Sequence, residues 1–259
     1  MKPAIRALGI ATIIIWIFLI VFAATAVYSV MNLDTDFREA EFFSSSNGIV
    51  LSMPFFINNN GCYDISELNI TTRIVDSNGT FLTLSGTFIP IVSRGSRVEA
   101  AHNVSIESSD MTEHMELLFE DSSFVVDASI ALKFANIVPV KMSMNMSVPW
   151  GAPFSNVSMG EIFRFPFNAT HERVVVPLSF ENHSFFDLAG TMELEIYNDV
   201  EELVTSGETS LDVQSQSSYN EQVDIYLSLA DASKLTETGR ARLIFETTMF
   251  TVEKWIPYD

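Results

Sequence analysis

Cysteine is almost absent from this 259-residue chain: Cys62 stands alone. A lone thiol excludes an internal disulfide and a cysteine metal cluster, so an apolar core must hold whatever folds here. Basic residues are scarce, 14 Lys and Arg against 33 Asp and Glu. Acidic residues are missing before Asp34, whereas Lys2 and Arg6 precede the first apolar run. Setting those two aside leaves 12 basic and 33 acidic residues, a net of −21 beyond residue 33. Such a field repels DNA, RNA and anionic headgroups, which excludes nucleic acid as a partner. None of the 11 glycines builds a phosphate loop, and no serine-nucleophile elbow or zinc helix occurs.

The remaining polar residues read blandly. His102, His114, His171 and His183 never approach a metal-ligand spacing. His114 with Glu113 and Glu116 reads as a solvated helix face. Asp34, Asp36, Glu39 and Glu41 lack the glycine turn of a calcium loop and read as an acidic connector. Cys62 reads as a small apolar filler in an Asn-rich turn. No catalytic, cofactor or metal residues are expected, and the chain is not expected to be an enzyme.

What is present begins with Leu8 to Val30, 23 residues without a charge. A helix of that length spans roughly 35 Å, enough for a ~30 Å hydrocarbon core. Lys2 and Arg6 place the N-terminus in the cytoplasm, so residues 1–33 are expected to be a signal-anchor crossing the bilayer through residues 8–30. Ala24-Thr25-Ala26 also resembles a signal-peptide cleavage site, and both readings export the rest of the chain. Seven Asn-x-Ser/Thr sequons follow, at Asn69, Asn78, Asn103, Asn145, Asn156, Asn168 and Asn182, candidates for N-glycosylation. Sequons, acidity, few lysines and no disulfide together suggest an archaeal cell surface.

The second half repeats the first. Pro54, Asn59 and Asp64 meet Pro177, Asn182 and Asp187 at a constant offset of 123; Ser85-Gly86 and Asp110 meet Ser206-Gly207 and Asp231 at 121. A long-period duplication means two copies of one folding unit. Within each copy the apolar residues alternate, as in Val126 to Phe134, and turns such as Asp76-Ser77-Asn78-Gly79 punctuate the runs. Met142, Met144 and Met146, and Phe163, Phe165 and Phe167, are expected to be core residues of half-buried strands. Exposed, those rings would form a patch for a partner protein. Asp110 followed by Glu113 predicts a capped helix, with a weaker counterpart at Asp231 to Thr236. The expected fold is all-β: two tandem immunoglobulin- or fibronectin-III-like antiparallel sandwiches, at 46–150 and 151–259, after a transmembrane helix and a connector at 34–45.

Each copy resembles the domain of the late-embryogenesis-abundant group 2 family, the water-stress and hypersensitive-response (WHy) domain. The pattern is an apolar strand, an Asn-rich turn, an apolar-polar strand, a hairpin, and Ser-Gly before the next strand. It falls on Leu51 to Asn60, Tyr63 to Val75 and Ser85-Gly86, then on Val174 to Asn182, Phe186 to Tyr197 and Ser206-Gly207. The turns read Asn58-Asn59-Asn60 and Glu181-Asn182-His183, without the proline usual in the family. The resemblance implies a membrane-tethered sandwich without known chemistry. The expected function is therefore a non-catalytic, single-pass, extracytoplasmic role in the cell envelope, binding another envelope or membrane protein. A desiccation- or osmotic-stress protector is the alternative, and an exported hydrolase the less favoured third.

Overall fold

A computed structural model describes residues 3–39, 41–45 and 48–259, with side chains from residue 8 onward except those of 42, 44 and 45. The chain opens with α1 (Pro3–Met31), an apolar helix whose segment Leu8–Met31 has a mean hydropathy of 2.8. Thr12, Thr25 and Ser29 turn their hydroxyls back onto carbonyls four residues earlier, so these polar groups are satisfied within the helix. Asn32 ends it, its backbone and side-chain nitrogens both donating to the Tyr28 carbonyl.

Two β-sandwiches follow. The first contains β1 (Leu33–Phe37), β2 (Glu41–Ser45), β3 (Gly48–Asn59), β4 (Ile65–Val75), β5 (Phe81–Val92) and β6 (Ser96–Glu107). The short helices α2 (Ser108–Glu113) and α3 (Glu116–Phe119) lead to β7 (Ser122–Phe134) and β8 (Val138–Trp150). The second contains β9 (Ser155–Met159), β10 (Phe163–Pro166), β11 (His171–Asn182), β12 (Leu188–Asn198), β13 (Leu203–Val213) and β14 (Ser217–Ser228). A 3-10 turn at Ala232–Lys234 precedes β15 (Gly239–Thr247) and β16 (Thr251–Tyr258). In each sandwich a long central strand, β3 or β11, pairs on one side with β6 or β14 and on the other with two short strands. The facing sheet runs β5-β4-β7-β8 or β13-β12-β15-β16, all antiparallel.

The duplication is reproduced in the hydrogen-bond register. Gly48 pairs with Glu107 through Asn59 with Ser96; His171 pairs with Ser228 through Asn182 with Ser217. The repeated prolines explain why each central strand has two short partners. Pro54 has no N–H, so the ladder on its open side breaks between β1 and β2, and only its carbonyl is used, by Arg38 N at 2.9 Å. Pro177 does the same between β9 and β10, with Gly160 N on its carbonyl at 2.9 Å.

Several expectations need correction. Residues 34–45 are not a free connector: β1 and β2 belong to the first sandwich, which begins at Leu33. Their acidic side chains made them read as linker, yet Asp34 and Asp36 are exposed on an edge strand while the backbone is paired. Asp110 is not a helix cap; α2 starts after Glu107, with no side-chain cap. The helix is also broken at His114, so Met111 and Leu118 are buried but Met115 faces out. The boundary at Trp150-Gly151-Ala152-Pro153 is packed, since Trp150, Ala152 and Phe154 are all buried.

One apolar cluster runs from Ile49, Ile74 and Phe124 in the upper first sandwich through Trp150 and Phe154 into the whole second sandwich. A separate cluster, Phe55, Ile57, Ile65, Leu68, Ile70, Ile89 and Val92, fills the lower first sandwich. His102, wholly buried on β6, lies between the two clusters, its ring nitrogens 2.9 Å from the hydroxyls of Thr72 and Thr87. Burial depresses its pKa. Val223 occupies the matching place in the second copy, which has no such polar layer.

Candidate interaction surfaces

The repeated Asn and Asp are structural pins. Asn59 Nδ2 donates to the carbonyls of Tyr63 and Val92 at 2.9 and 3.0 Å, and its Oδ1 accepts from Gly61 N. Asn182 Nδ2 donates to Phe186 O at 2.9 Å and Gln214 O at 3.0 Å, and Oδ1 accepts from Ser184 N and Oγ. Asp64 and Asp187 accept from Arg94 N and Ser215 N. Each pair ties the loop after the central strand to the turn before β6 or β14. Asn182 therefore departs from the other sequons: it is wholly buried and its amide nitrogen is committed, so the folded chain cannot present it. Asn69, Asn78, Asn103, Asn145, Asn156 and Asn168 are exposed.

Each pinned loop sits on what precedes it in the chain. In the first copy the loop meets the end of α1. Tyr63 Oη lies 2.7 Å from Thr25 Oγ1, its ring packs on Phe22 and Phe134, and Cys62 N donates to Ser29 Oγ at 2.8 Å. Gly61 is required there, because a Cβ would fall 2.7 Å from that of Ser29. The Cys62 side chain is exposed, not a filler. In the second copy the loop meets the top of the first sandwich. Trp150 Nε1 donates to Leu117 O at 2.7 Å, and its ring packs on Phe124, Phe185 and Phe186.

His183 closes that junction, Nδ1 2.8 Å from Asp121 and Nε2 2.9 Å from Glu181. The bond to Asp121 raises the pKa of His183. Burial pushes the Asp121 carboxyl up, but the Ala152 N–H and His183 together hold it below its ordinary value. Asn156 and then His183 lower Glu181. The raised His183 contributes stability fully below its ordinary pKa of 6.5, lost as pH rises through the higher folded value; the two carboxylates lose theirs only in acid. His102 runs oppositely: its depressed pKa takes stability away as pH falls below 6.5. Thermal unfolding of wild type and His183→Gln between about pH 5 and 8 should show a gap that narrows as pH rises. A gap independent of pH would remove His183 from this role.

Two apolar faces expected in the core are exposed, because alternation fixes that a strand has two faces but not which one is covered. Phe163, Phe165 and Phe167 are 44%, 50% and 55% exposed, and Phe167 packs on Tyr226 of β14 at 4.6 Å. They form an aromatic patch on the outer face of the second sandwich. On β8, Met142, Met144 and Met146 continue a row with Val138, Val140 and Val148 in which every member is exposed. Their partners across the ladder are Ile130, Ala128, Val126, Phe134, Leu132 and Phe124, so the row belongs to the inward face of the sheet. β8 is the outermost strand there, and the facing sheet ends at β1 and β2, with Phe37 half exposed beside the buried Phe55. In the second sandwich that edge is closed: β9 packs against β16, whose inward Val252 and Tyr258 are buried.

Asp76, His114 and Glu116 bring one ligand atom each within 4.8 Å of one another. The buried Asp76 carboxylate already accepts from Asn78 N and Thr80 N, holding the turn where Gly79 adopts φ 86°. Asp76 therefore serves the turn. A cleft of about 430 Å³ lies against Gly160, Ile162, Arg164, Leu235 and Tyr258, with Glu161, Glu237 and Asp259 at its rim; its lining holds no histidine, cysteine or serine.

No protein-family model matches the chain, and no curated protein does. Among solved structures, a transglutaminase from red sea bream aligns over 87% of this chain and 31% of its own at 12% identity, TM-score 0.30. A β-galactosidase described as putative, from Bacteroides fragilis, aligns over 82% and 33% at 10% identity, TM-score 0.29. A β-glucuronidase of glycoside hydrolase family 2 aligns over 81% and 24% at 9% identity, TM-score 0.29. The chain thus spans about a third or less of the proteins it is similar to, and at these scores the likeness carries no argument about activity.

Proposed function

We propose that this protein is a non-catalytic, single-pass membrane protein whose paired sandwiches, of the late-embryogenesis-abundant group 2 type, stand outside the cytoplasm and bind another envelope or membrane protein. The observation that carries the reading is α1. Its side chains are exposed from Leu8 to Val21, Ile13, Trp16 and Phe18 among them, so nothing else in the described chain covers that stretch. Roughly 36 Å of such helix is stable only in hydrocarbon. α1 also docks on the first sandwich through Thr25 and Ser29, which makes it a built part of the fold. The aromatic patch at Phe163, Phe165 and Phe167 supplies a surface for a protein partner.

Membranes of cells expressing the full chain test this. The chain should stay in the membrane pellet through alkaline carbonate, and protease added to intact cells should digest the sandwiches. Release by carbonate would remove the anchor; protection from protease would place the sandwiches on the other side.

A further inference from the structure

We propose that the open lateral edge of the first sandwich is a track for one hydrocarbon tail of a membrane lipid. The inference rests on α1 being a membrane anchor. The track is the β8 row Val138, Val140, Met142, Met144, Met146 and Val148, facing inward yet uncovered, with Leu33 and Phe37 on the opposite lip. No member of the row carries a polar group; Lys141, Ser143, Asn145 and Ser147 take the other face of the strand. The wall offers apolar contact, valine hydrocarbon and methionine thioether, and methionine adapts to a flexible chain.

Continuity with the bilayer selects a lipid tail as the occupant. Val138 lies opposite Phe134, whose ring meets Tyr63 at 5.5 Å; Tyr63 in turn meets Phe22 of α1 at 5.6 Å. Thr25, bonded to Tyr63, is six residues from the end of α1, about 9 Å down its axis. A 24-residue apolar span, about 36 Å, exceeds a ~30 Å hydrocarbon core by less than that depth. The foot of the track thus meets the hydrocarbon boundary. From Val138 to Val148 the row runs about 33 Å, against roughly 15 Å for one leaflet, so a whole tail fits along it.

The strand edge argues against an added β-strand. Pro139 and Pro149 share one parity, and a proline is tolerated only where β7 does not need its N–H. The row of outward donors therefore has a gap at each end, with Lys141 between them.

The test uses full-length protein in phosphatidylcholine vesicles doped with a phosphatidylcholine bearing a diazirine at the end of one acyl chain. After irradiation and digestion, adducts are expected on α1 and on the β8 peptide holding Met142 and Met144. In Met142→Glu/Met144→Glu, substitutions at exposed positions, the β8 adduct should fall more than about tenfold, since a carboxylate against a hydrocarbon tail is strongly unfavourable. The α1 adduct should be unchanged, and Ser143→Glu, on the other face, should keep both. Adducts on α1 alone would overturn the track and leave the anchor standing. Absence of both would overturn the anchor, and the track with it. Labelling of β8 that survives the double substitution would also overturn the proposal.

Discussion

Trp150→Ala is expected to lower the unfolding free energy by about 3–5 kcal/mol, the range for deleting a buried large aromatic. Trp150 is 2% exposed, and its ring is enclosed by Phe124 at 4.9 Å, Phe185 at 5.4 Å and Phe186 at 6.2 Å. Truncation leaves a cavity where the last strand of one copy becomes the first segment of the next, and it orphans the Leu117 carbonyl that accepted from Nε1. The loss should exceed that of Trp255→Ala, because Trp255 is 37% exposed on β16. Denaturant unfolding of both variants decides it. A Trp150 loss no larger than that of Trp255 would mean the two sandwiches are not joined through this ring.

The second large effect is expected at Asn182, an amide that serves three carbonyls and accepts two bonds from Ser184. Asn182→Ala leaves these groups buried without partners. At about 1–3 kcal/mol for each orphan that cannot reach water, a total of about 3–5 kcal/mol is expected. A loss under about 1 kcal/mol would refute the pinning role, since that is the size of one ordinary hydrogen bond. The same geometry makes a covalent prediction. Ser184→Ala destroys the sequon, yet the intact mass should change only by the lost oxygen, because a wholly buried Asn182 has no room for a glycan. A further loss of sugar mass would contradict the buried placement.

Much of the architecture was legible because the duplication was written at fixed offsets. Pro54, Asn59 and Asp64 return as Pro177, Asn182 and Asp187, and the ladders repeat with them. The roles of those residues were not legible. A turn asparagine that stays exposed and one that ties three strands together look alike in a sequence. Facing was the other blind spot. The Met and Phe rows alternate as core strands do, but whether a row is covered depends on how far the opposite sheet extends. At β8 that sheet stops at β1 and β2, which the acidic residues Asp34, Asp36 and Glu41 had disguised as a linker. The apolar helix was legible because a long uncharged run needs no tertiary partner to be recognised. Its grip on Tyr63 and Cys62 was not, because both contacts join residues more than thirty positions apart.

The layer of His102, Thr72 and Thr87 carries a last consequence for how the molecule opens. Hydrophobic contact, which makes neighbouring segments melt together, runs unbroken from Phe124 to Val252 but is interrupted at that histidine. The cooperative units should therefore ignore the duplication boundary. Amides in the upper first sandwich should exchange with deuterium alongside those of the second, while the end of β5 and the start of β4, around Ile65 and Val92, form a separate and smaller foldon braced by α1.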